Sequence, residues 1–412
     1  MSQPATCRHC EAPLTESLVD LGLSPLANSY VPLERADAAE PFYPLHVRVC
    51  TSCWLVQIDD AVGANEIFSA EYAYFSSFSD SWLAHASAYV EKMIEDQRLG
   101  PDNFVMEIAS NDGYLLQYFL EAGIPVLGIE PSGNVAKAAE EKGIPTLVEF
   151  FGEDLAKRLR AEGARPDLIA SANVLAHVPD PNDFIKGVAA LLQGDAVYTV
   201  EFPHLLRLME KVQFDTIYHE HYSYLSLLAV ETMFNRFGLT VFDVEELPTH
   251  GGSLRVYAGL AGGSHAEHPR VQKVRADEKA AKLDRREGYA GFTAKAEAVR
   301  QGFLEFLARA KAEGKSVAAY GAAAKGNTFL NYCGVGADSI AFCVDRNPAK
   351  QNTLLPGSRI PVKPVEALYE SSPDYVVILP WNLKAEIAKQ LDDLRASGSK
   401  FVTAVPAIDI FG

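Results

Sequence analysis

The sequence predicts an α/β protein built from a cysteine-bounded N-terminal module, a central doubly wound parallel sheet and a C-terminal Rossmann-like unit. Three observations carry this. Two C-x-x-C pairs, Cys7/Cys10 and Cys50/Cys53, bracket the first fifty residues. Short apolar strands then alternate with helical stretches from about residue 80 to 260. After a charged interruption the same alternation returns. A chain of 412 residues, 48% hydrophobic and 22% charged, is long enough for two or three cores and too apolar for disorder.

In chain order, Leu45–Val49 is strand-like and leads into the second cysteine pair. From residue 80 the apolar residues Trp82, Leu83, Tyr89, Val90, Met93 and Ile94 fall at helical spacing. Strands follow at Phe104–Ile108, Val126–Glu130, Leu168–Ala172 and Ala196–Glu201, with a turn at Asn111-Asp112-Gly113. Gly259–Gly263 breaks the pattern, and Arg270–Glu287 has so few apolar residues that it reads as a solvated helical connector. Strands at Ser316–Gly321, Ile340–Asp345, Tyr375–Pro380 and Phe401–Val405, with a helix at Lys325–Asn331, make the last unit. The expected divisions are residues 1–70, 71–262 and 263–412.

Thirty-seven basic against 54 acidic residues give a net charge of −17, which opposes binding to nucleic acid or to an anionic membrane. The first residues lack a charged segment followed by an apolar one, and the longest apolar runs are strand-sized. A cytoplasmic monomer acting on a small molecule is the expectation.

In a reducing compartment two C-x-x-C pairs favour a metal over disulfides, because each turn brings two thiolates to one point. Cys7, Cys10, Cys50 and Cys53 would close all four positions of a tetrahedral Zn2+, leaving a structural site with no room for substrate.

Glu107-Ile-Ala-Ser-Asn-Asp-Gly113 follows a strand and opens a helix. It has one glycine where a dinucleotide loop has three, and Glu107 would repel a pyrophosphate. An acidic residue there suits a cationic, phosphate-free ligand, S-adenosylmethionine. Glu130, at the next strand end, is placed to hold two ribose hydroxyls. Asn111, Asp112 and Gly113 form the turn, Phe151 is a candidate neighbour of the adenine, and Asn173 and His177 lie just past another strand end. This makes the central unit a class I S-adenosylmethionine methyltransferase domain.

The densest chemistry is at 216–226, where Tyr218, His219, Glu220, His221, Tyr222 and Tyr224 crowd together. A zinc protease needs H-E-x-x-H on one helical face, and Ser223 stands where the second ligand should be. A histidine base beside a phenol suits proton abstraction next to a carbonyl, where enolate charge must be stabilised. Tyr72 and Tyr74 are a second candidate lining. His250 and Arg255 flank a turn that either closes the pocket or bends a strand, and Lys325 sits in a glycine turn able to approach a pyrophosphate.

Together these segments resemble the sugar C-methyltransferases that alkylate keto-deoxyhexoses carried on nucleoside diphosphates. The resemblance rests on the four cysteines, Tyr72–Ser77, Glu107–Gly113, Asn173–His177, Tyr218–His221, His250–Arg255 and Tyr320-Gly-Ala-Ala-Ala-Lys325-Gly. It implies a nucleotide-sugar substrate, with thymidine diphosphate as the carrier, and a C-terminal domain that helps bind it. It further implies that Tyr218, Glu220 and His221 line the sugar site, with His221 as base and Tyr218 near the keto oxygen. His177 and one of Tyr72 and Tyr74 would complete the pocket, with Tyr222 also at the substrate. Methylation of oxygen or nitrogen, or a non-catalytic binding role, are the alternatives.

Overall fold

The computed structural model describes residues 5–59, 62–63 and 75–412. Among them the strands form three sheets. The central sheet runs, edge to edge, Leu239–Leu247, Ser253–Leu260, Val197–Pro203, Leu168–Ala172, Val105–Ile108, Val126–Ile129 and Thr146–Leu147. Its last five strands are parallel, and the hairpin at 239–260 adds two antiparallel strands. Fully buried runs such as Val105–Ile108 are what a sheet covered on both faces requires. Strand order reverses between Val105–Ile108 and Leu168–Ala172, so the ligand crevice of this unit opens past their carboxyl ends.

The C-terminal sheet has the parallel order Lys400–Thr403, Tyr375–Ile378, Val317–Tyr320, Cys343–Val344 and Pro361–Lys363, with antiparallel strands at both edges. Its order reverses between Val317–Tyr320 and Tyr375–Ile378, placing a second crevice at Gly321–Lys325 and Leu379–Asn382. The two loops touch: a Cβ on Gly321 (φ +90°) would lie 2.5 Å from Pro380 Cδ. Gly321 is therefore required for both conformation and space.

The N-terminal sheet joins Glu16–Ser24, Tyr43–Val49 and Val56–Ile58 antiparallel, and its fourth strand is Ser223–Tyr224 from the middle of the chain. In return, Val31–Pro32 adds to the edge of the C-terminal sheet. Strands thus cross both of the divisions expected at 70 and 262. Two-residue strands carry no periodicity, which is why the sequence did not show them. One apolar cluster unites the N-terminal sheet, residues 205–224 and the C-terminal unit, including Phe214, Phe303 and Phe306. A second joins Cys7, Cys50 and Cys53 to the central sheet.

The helix Asp80–Gln97 starts where Ser79 Oγ accepts from the Trp82 N–H, and it ends at Arg98 in a left-handed conformation. Its buried residues Ala86, Tyr89, Val90 and Met93 recur at 3–4 spacing, as a one-sided helix demands. The charged connector is helical over Pro269–Ala280 but is not wholly solvated. Glu278 is 2% exposed. Its Oε1 accepts from the Leu227 N–H (2.6 Å) and lies 2.7 Å from His204 Nε2, and its Oε2 accepts from the Leu228 N–H (2.9 Å). One carboxylate thus caps the helix Leu227–Arg236 from another element. Glu278→Ala should cost about 3 kcal/mol, since charge-assisted bonds are lost and buried donors are orphaned. Denaturant unfolding checks this, and a loss under about 0.5 kcal/mol would show that water replaces the carboxylate.

Candidate active site

The four cysteines converge. Their sulfur atoms lie within 4.8 Å of one another, with Cys7–Cys53 at 3.6 Å and Cys10–Cys50 at 3.5 Å. A tetrahedron with Zn–S bonds of about 2.3 Å has edges near 3.8 Å, so the set fits zinc. The two turns are built alike. Cys7 O accepts from Glu11 N (2.9 Å) and Cys50 O from Trp54 N (2.9 Å), and Glu11 and Trp54 both have φ near +60°. Donors reach the sulfurs from Gln57 Nε2 to Cys7 (3.2 Å) and from Ser52 N to Cys50 (3.4 Å), as outer-shell partners of thiolates do. Cys10→Ser should release one zinc per chain and lower the unfolding temperature, read by metal analysis and calorimetry.

At the central crevice Glu107 is 0% exposed and neither carboxylate oxygen has a hydrogen bond of good geometry. Burial pushes its carboxyl well above the usual range, with Tyr114 opposing in part and Glu130 and Asp112 adding to the rise. Such a group asks for a cation. Glu130 accepts from Asn111 N (3.0 Å) and Ser132 N (2.8 Å), which fixes the loop at the strand end. Asn111 itself has φ +48°, and Gly113 has φ +74° with a would-be Cβ 2.3 Å from Ile144 Cδ1. The side chains of Asn111 and Asp112 accept from the Ser76 and Ser77 amides (2.9 and 3.2 Å), so they hold the described end of the Tyr72–Ser77 stretch over the loop. Tyr72 and Tyr74 lie outside the described residues. Phe151 is half-buried, its edge against Phe184 at 5.3 Å.

The histidines form the other wall. His221 lies 4.0 Å from Tyr218 and 4.6 Å from His177, measured between ring centroids. Its Nδ1 is 2.8 Å from the Thr216 carbonyl oxygen, which can only accept. Nδ1 therefore carries the proton and Nε2 presents its lone pair. Asn173 Nδ2 donates to His250 Nε2 at 3.2 Å. Lys325 donates to Asn382 Oδ1 (2.7 Å) and lies 5.0 Å from the Trp381 ring, whose Nε1 donates to Asp215 (2.7 Å).

His177, His221, His250 and Lys325 are each half-buried by area, yet set deep enough for burial to govern their protonation. Burial lowers His177 and His250 to about 4, and Lys325 also disfavours charge on His250. His221 is pushed well below its usual value by burial and by His177, then by His250 and Lys325. Glu220 is pushed up to about 7 by burial, although Asn28 donates to it at 2.5 Å.

Other expected residues are placed apart. Tyr222, 2% exposed, donates to the Val62 carbonyl (3.2 Å) and packs under Arg8. Arg255 is 5% exposed and paired with Glu201 (2.7 Å) and Glu245 (3.2 Å), so its charge is spent inside the protein. His219 points to the N-terminal sheet, 3.1 Å from Pro44 O. Sequence reasoning missed Asp215, Trp381, Asn28, Glu201 and His85. Asp215 lies one residue before the segment singled out and was within reach. The others are joined to the site only by long-range packing.

Three family signatures match this arrangement: a putative zinc binding domain at 7–68, a methyltransferase domain at 83–244 and a C-methyltransferase C-terminal domain at 248–406. C-methyltransferase NovU of Streptomyces niveus is 34% identical over 400 residues, spanning 97% of this chain and 95% of that protein. The chain belongs to this C-methyltransferase family. A ubiquinone biosynthesis O-methyltransferase of Bordetella avium is 26% identical over 91 residues, 22% of this chain and 38% of that protein. Among solved structures, the magnesium protoporphyrin IX methyltransferase of Synechocystis PCC 6803 with bound SAH is 15% identical, covering 44% of this chain and 83% of its own (TM-score 0.36). The PH0226 protein of Pyrococcus horikoshii OT3 is 14% identical, covering 46% and 95% (TM-score 0.38).

This C-methyltransferase depends on S-adenosylmethionine, and Glu107 and Glu130 at the central crevice are residues that could hold it. The enzyme also acts on a small molecule, and among the described residues no helix is long and apolar enough to cross a membrane.

The depressed imidazoles have a consequence for stability. His177 and His250 bind protons near 6.5 when unfolded and near 4 when folded. Their contribution is therefore present above about 6.5 and lost as pH falls toward 4. The unfolding temperature should drop over this window, less steeply in His177→Asn, as thermal scans across pH would show.

Proposed function

We propose that the enzyme moves a methyl group from S-adenosylmethionine to the carbon beside the ketone of a nucleoside-diphosphate-linked 4-keto-deoxyhexose, through an enolate. The observation that carries this reading is the His221 tautomer. With Nδ1–H given to Thr216 O, Nε2 is a neutral base held against the Tyr218 ring. A neutral imidazole can take an α-proton, and a phenol beside it can donate to the oxygen as charge moves there. His177 would steady the imidazole, and Glu220 would bind a sugar hydroxyl. S-adenosylmethionine, when bound, supplies the electrophilic methyl group that the carbanion attacks.

The nucleotide half of the substrate is supported by the second crevice. Asp345 accepts from Ala322 N and Asn347 N (both 2.8 Å), repeating at this strand end what Glu130 does with Asn111 N and Ser132 N. An acid in that place suits a nucleoside hydroxyl. Lys325, at the start of the helix Ala324–Cys333, and Lys350, which donates to Ala322 O (2.7 Å), bring positive charge for a diphosphate.

The test is turnover with S-adenosylmethionine and a nucleoside-diphospho-4-keto-deoxyhexose, followed by product NMR. One new methyl on a carbon next to the ketone is expected, with kcat lowered at least a hundredfold in His221→Asn. The rate should fall only on the acid side and stay level through neutrality, because His221 must be unprotonated and its pKa is depressed. A methyl on oxygen, or unchanged turnover in His221→Asn, would overturn the reading.

A further inference from the structure

A buried carboxylate stands behind both turns that carry Asn173 and His250. Glu201, at the end of a central strand, is 3% exposed. Its Oε1 accepts from Thr249 Oγ1 (3.0 Å), one residue before His250. Its main-chain oxygen accepts from Asn173 N (2.7 Å). Its Oε2 is bound by Arg255 Nη2 (2.7 Å) and lies 2.9 Å from His85 Nε2. The Arg255 guanidinium in turn rests on the Tyr89 ring at 4.5 Å. Although burial works against its charge, His85 and Arg255 hold the Glu201 carboxyl down to about 2.

The two turns need such a hold. Asn173 (φ +58°) and His250 (φ +52°) are both non-glycine residues in the left-handed region. Each is a strained conformation that persists only where its surroundings over-determine it. Their side chains meet each other at 3.2 Å, and a second route from Glu201 reaches the same place. His85 stacks on Trp82 (5.0 Å), and Trp82 meets His250 edge-on (5.3 Å). Trp82, His85, Glu201 and Arg255 also line a small open cleft beside the central crevice.

We propose that Glu201 is a positioning residue for the acceptor: through Thr249, the Asn173 main chain and the His85–Trp82 stack, it sets where Asn173 and His250 present their side chains. This rests on the proposed function, with Asn173 and His250 taken as part of the wall that carries His221: they meet each other at 3.2 Å, and His250 acts on the charge of His221. Glu201 touches neither substrate nor cofactor in this account. Misplacing a positioning group by about 1 Å can cost a hundredfold in rate, so the effect should be large and fall on acceptor turnover.

Thr249→Val removes one hydrogen bond and leaves the Glu201–Arg255 pair intact. It should lower kcat/KM for the keto-sugar nucleotide at least tenfold while the calorimetric Kd for S-adenosylmethionine stays within twofold. Glu201→Gln should lower it further, and the two changes should be less than additive in the double variant, because the Thr249 contribution passes through Glu201. The His250 imidazole 15N shifts should move in Thr249→Val, a readout that needs no substrate. If Thr249→Val keeps full kcat/KM, or if the His250 shifts are unmoved, the proposal is overturned. If the unmodified enzyme turns over no keto-sugar nucleotide, the substrate reading fails while the His250 shifts still decide the role of Glu201.

Discussion

The site depends on one mechanical constraint: residues 213–224 are gripped from two sides at once. On one side Ser223–Tyr224 pairs with Val56–Gln57 of the N-terminal sheet, and Ile58 N donates to Tyr222 O (3.1 Å). On the other, Thr328 Oγ1 donates to Ile217 O (2.9 Å) and Trp381 Nε1 to Asp215 (2.7 Å). A segment with little regular structure cannot hold a tautomer or a ring orientation by itself. Clamped this way, Thr216 O is fixed in front of His221 Nδ1, and Nε2 is left for chemistry. The zinc knuckles serve the same end from a distance. They pack into the apolar cluster of the central sheet, while the strands they anchor belong to the cluster of the C-terminal unit.

The electrostatic layout follows from which charges are buried. The central crevice buries Glu107 with no ion pair among the described residues, which a sulfonium donor would suit. The opposite wall gathers three imidazoles and Lys325, with Asp215 as the carboxylate acting on that lysine. Burial keeps the imidazoles neutral. An anionic diphosphate entering there would be met by Lys325 and Lys350, away from the acids of the donor crevice.

Much of this was legible in the sequence, for identifiable reasons. Strands such as Leu168–Ala172 announced themselves because a doubly covered strand must be apolar throughout. The convergence of the cysteines was legible because metal chemistry dictates residue type at a fixed spacing. Tyr222 sits inside the chemical cluster of the sequence, yet its hydroxyl is bonded to the Val62 carbonyl, a partner no local pattern announces. Arg255 stands beside a functional turn, yet its charge is consumed by Glu201. Glu201, His85, Trp381 and Asn28 left no local signal. Each reaches the site across more than a hundred residues of chain, except Glu201, which is hidden in a strand whose pattern only says core.

The central claim, that the clamp makes His221 a neutral base through Nε2, is tested most directly without methyl transfer. The enzyme holding S-adenosylhomocysteine would be incubated with the keto-sugar nucleotide in deuterated water, and loss of the α-proton signal followed by NMR. Exchange in the unmodified enzyme and its loss in His221→Asn is the predicted result. Exchange at an undiminished rate in His221→Asn would contradict it.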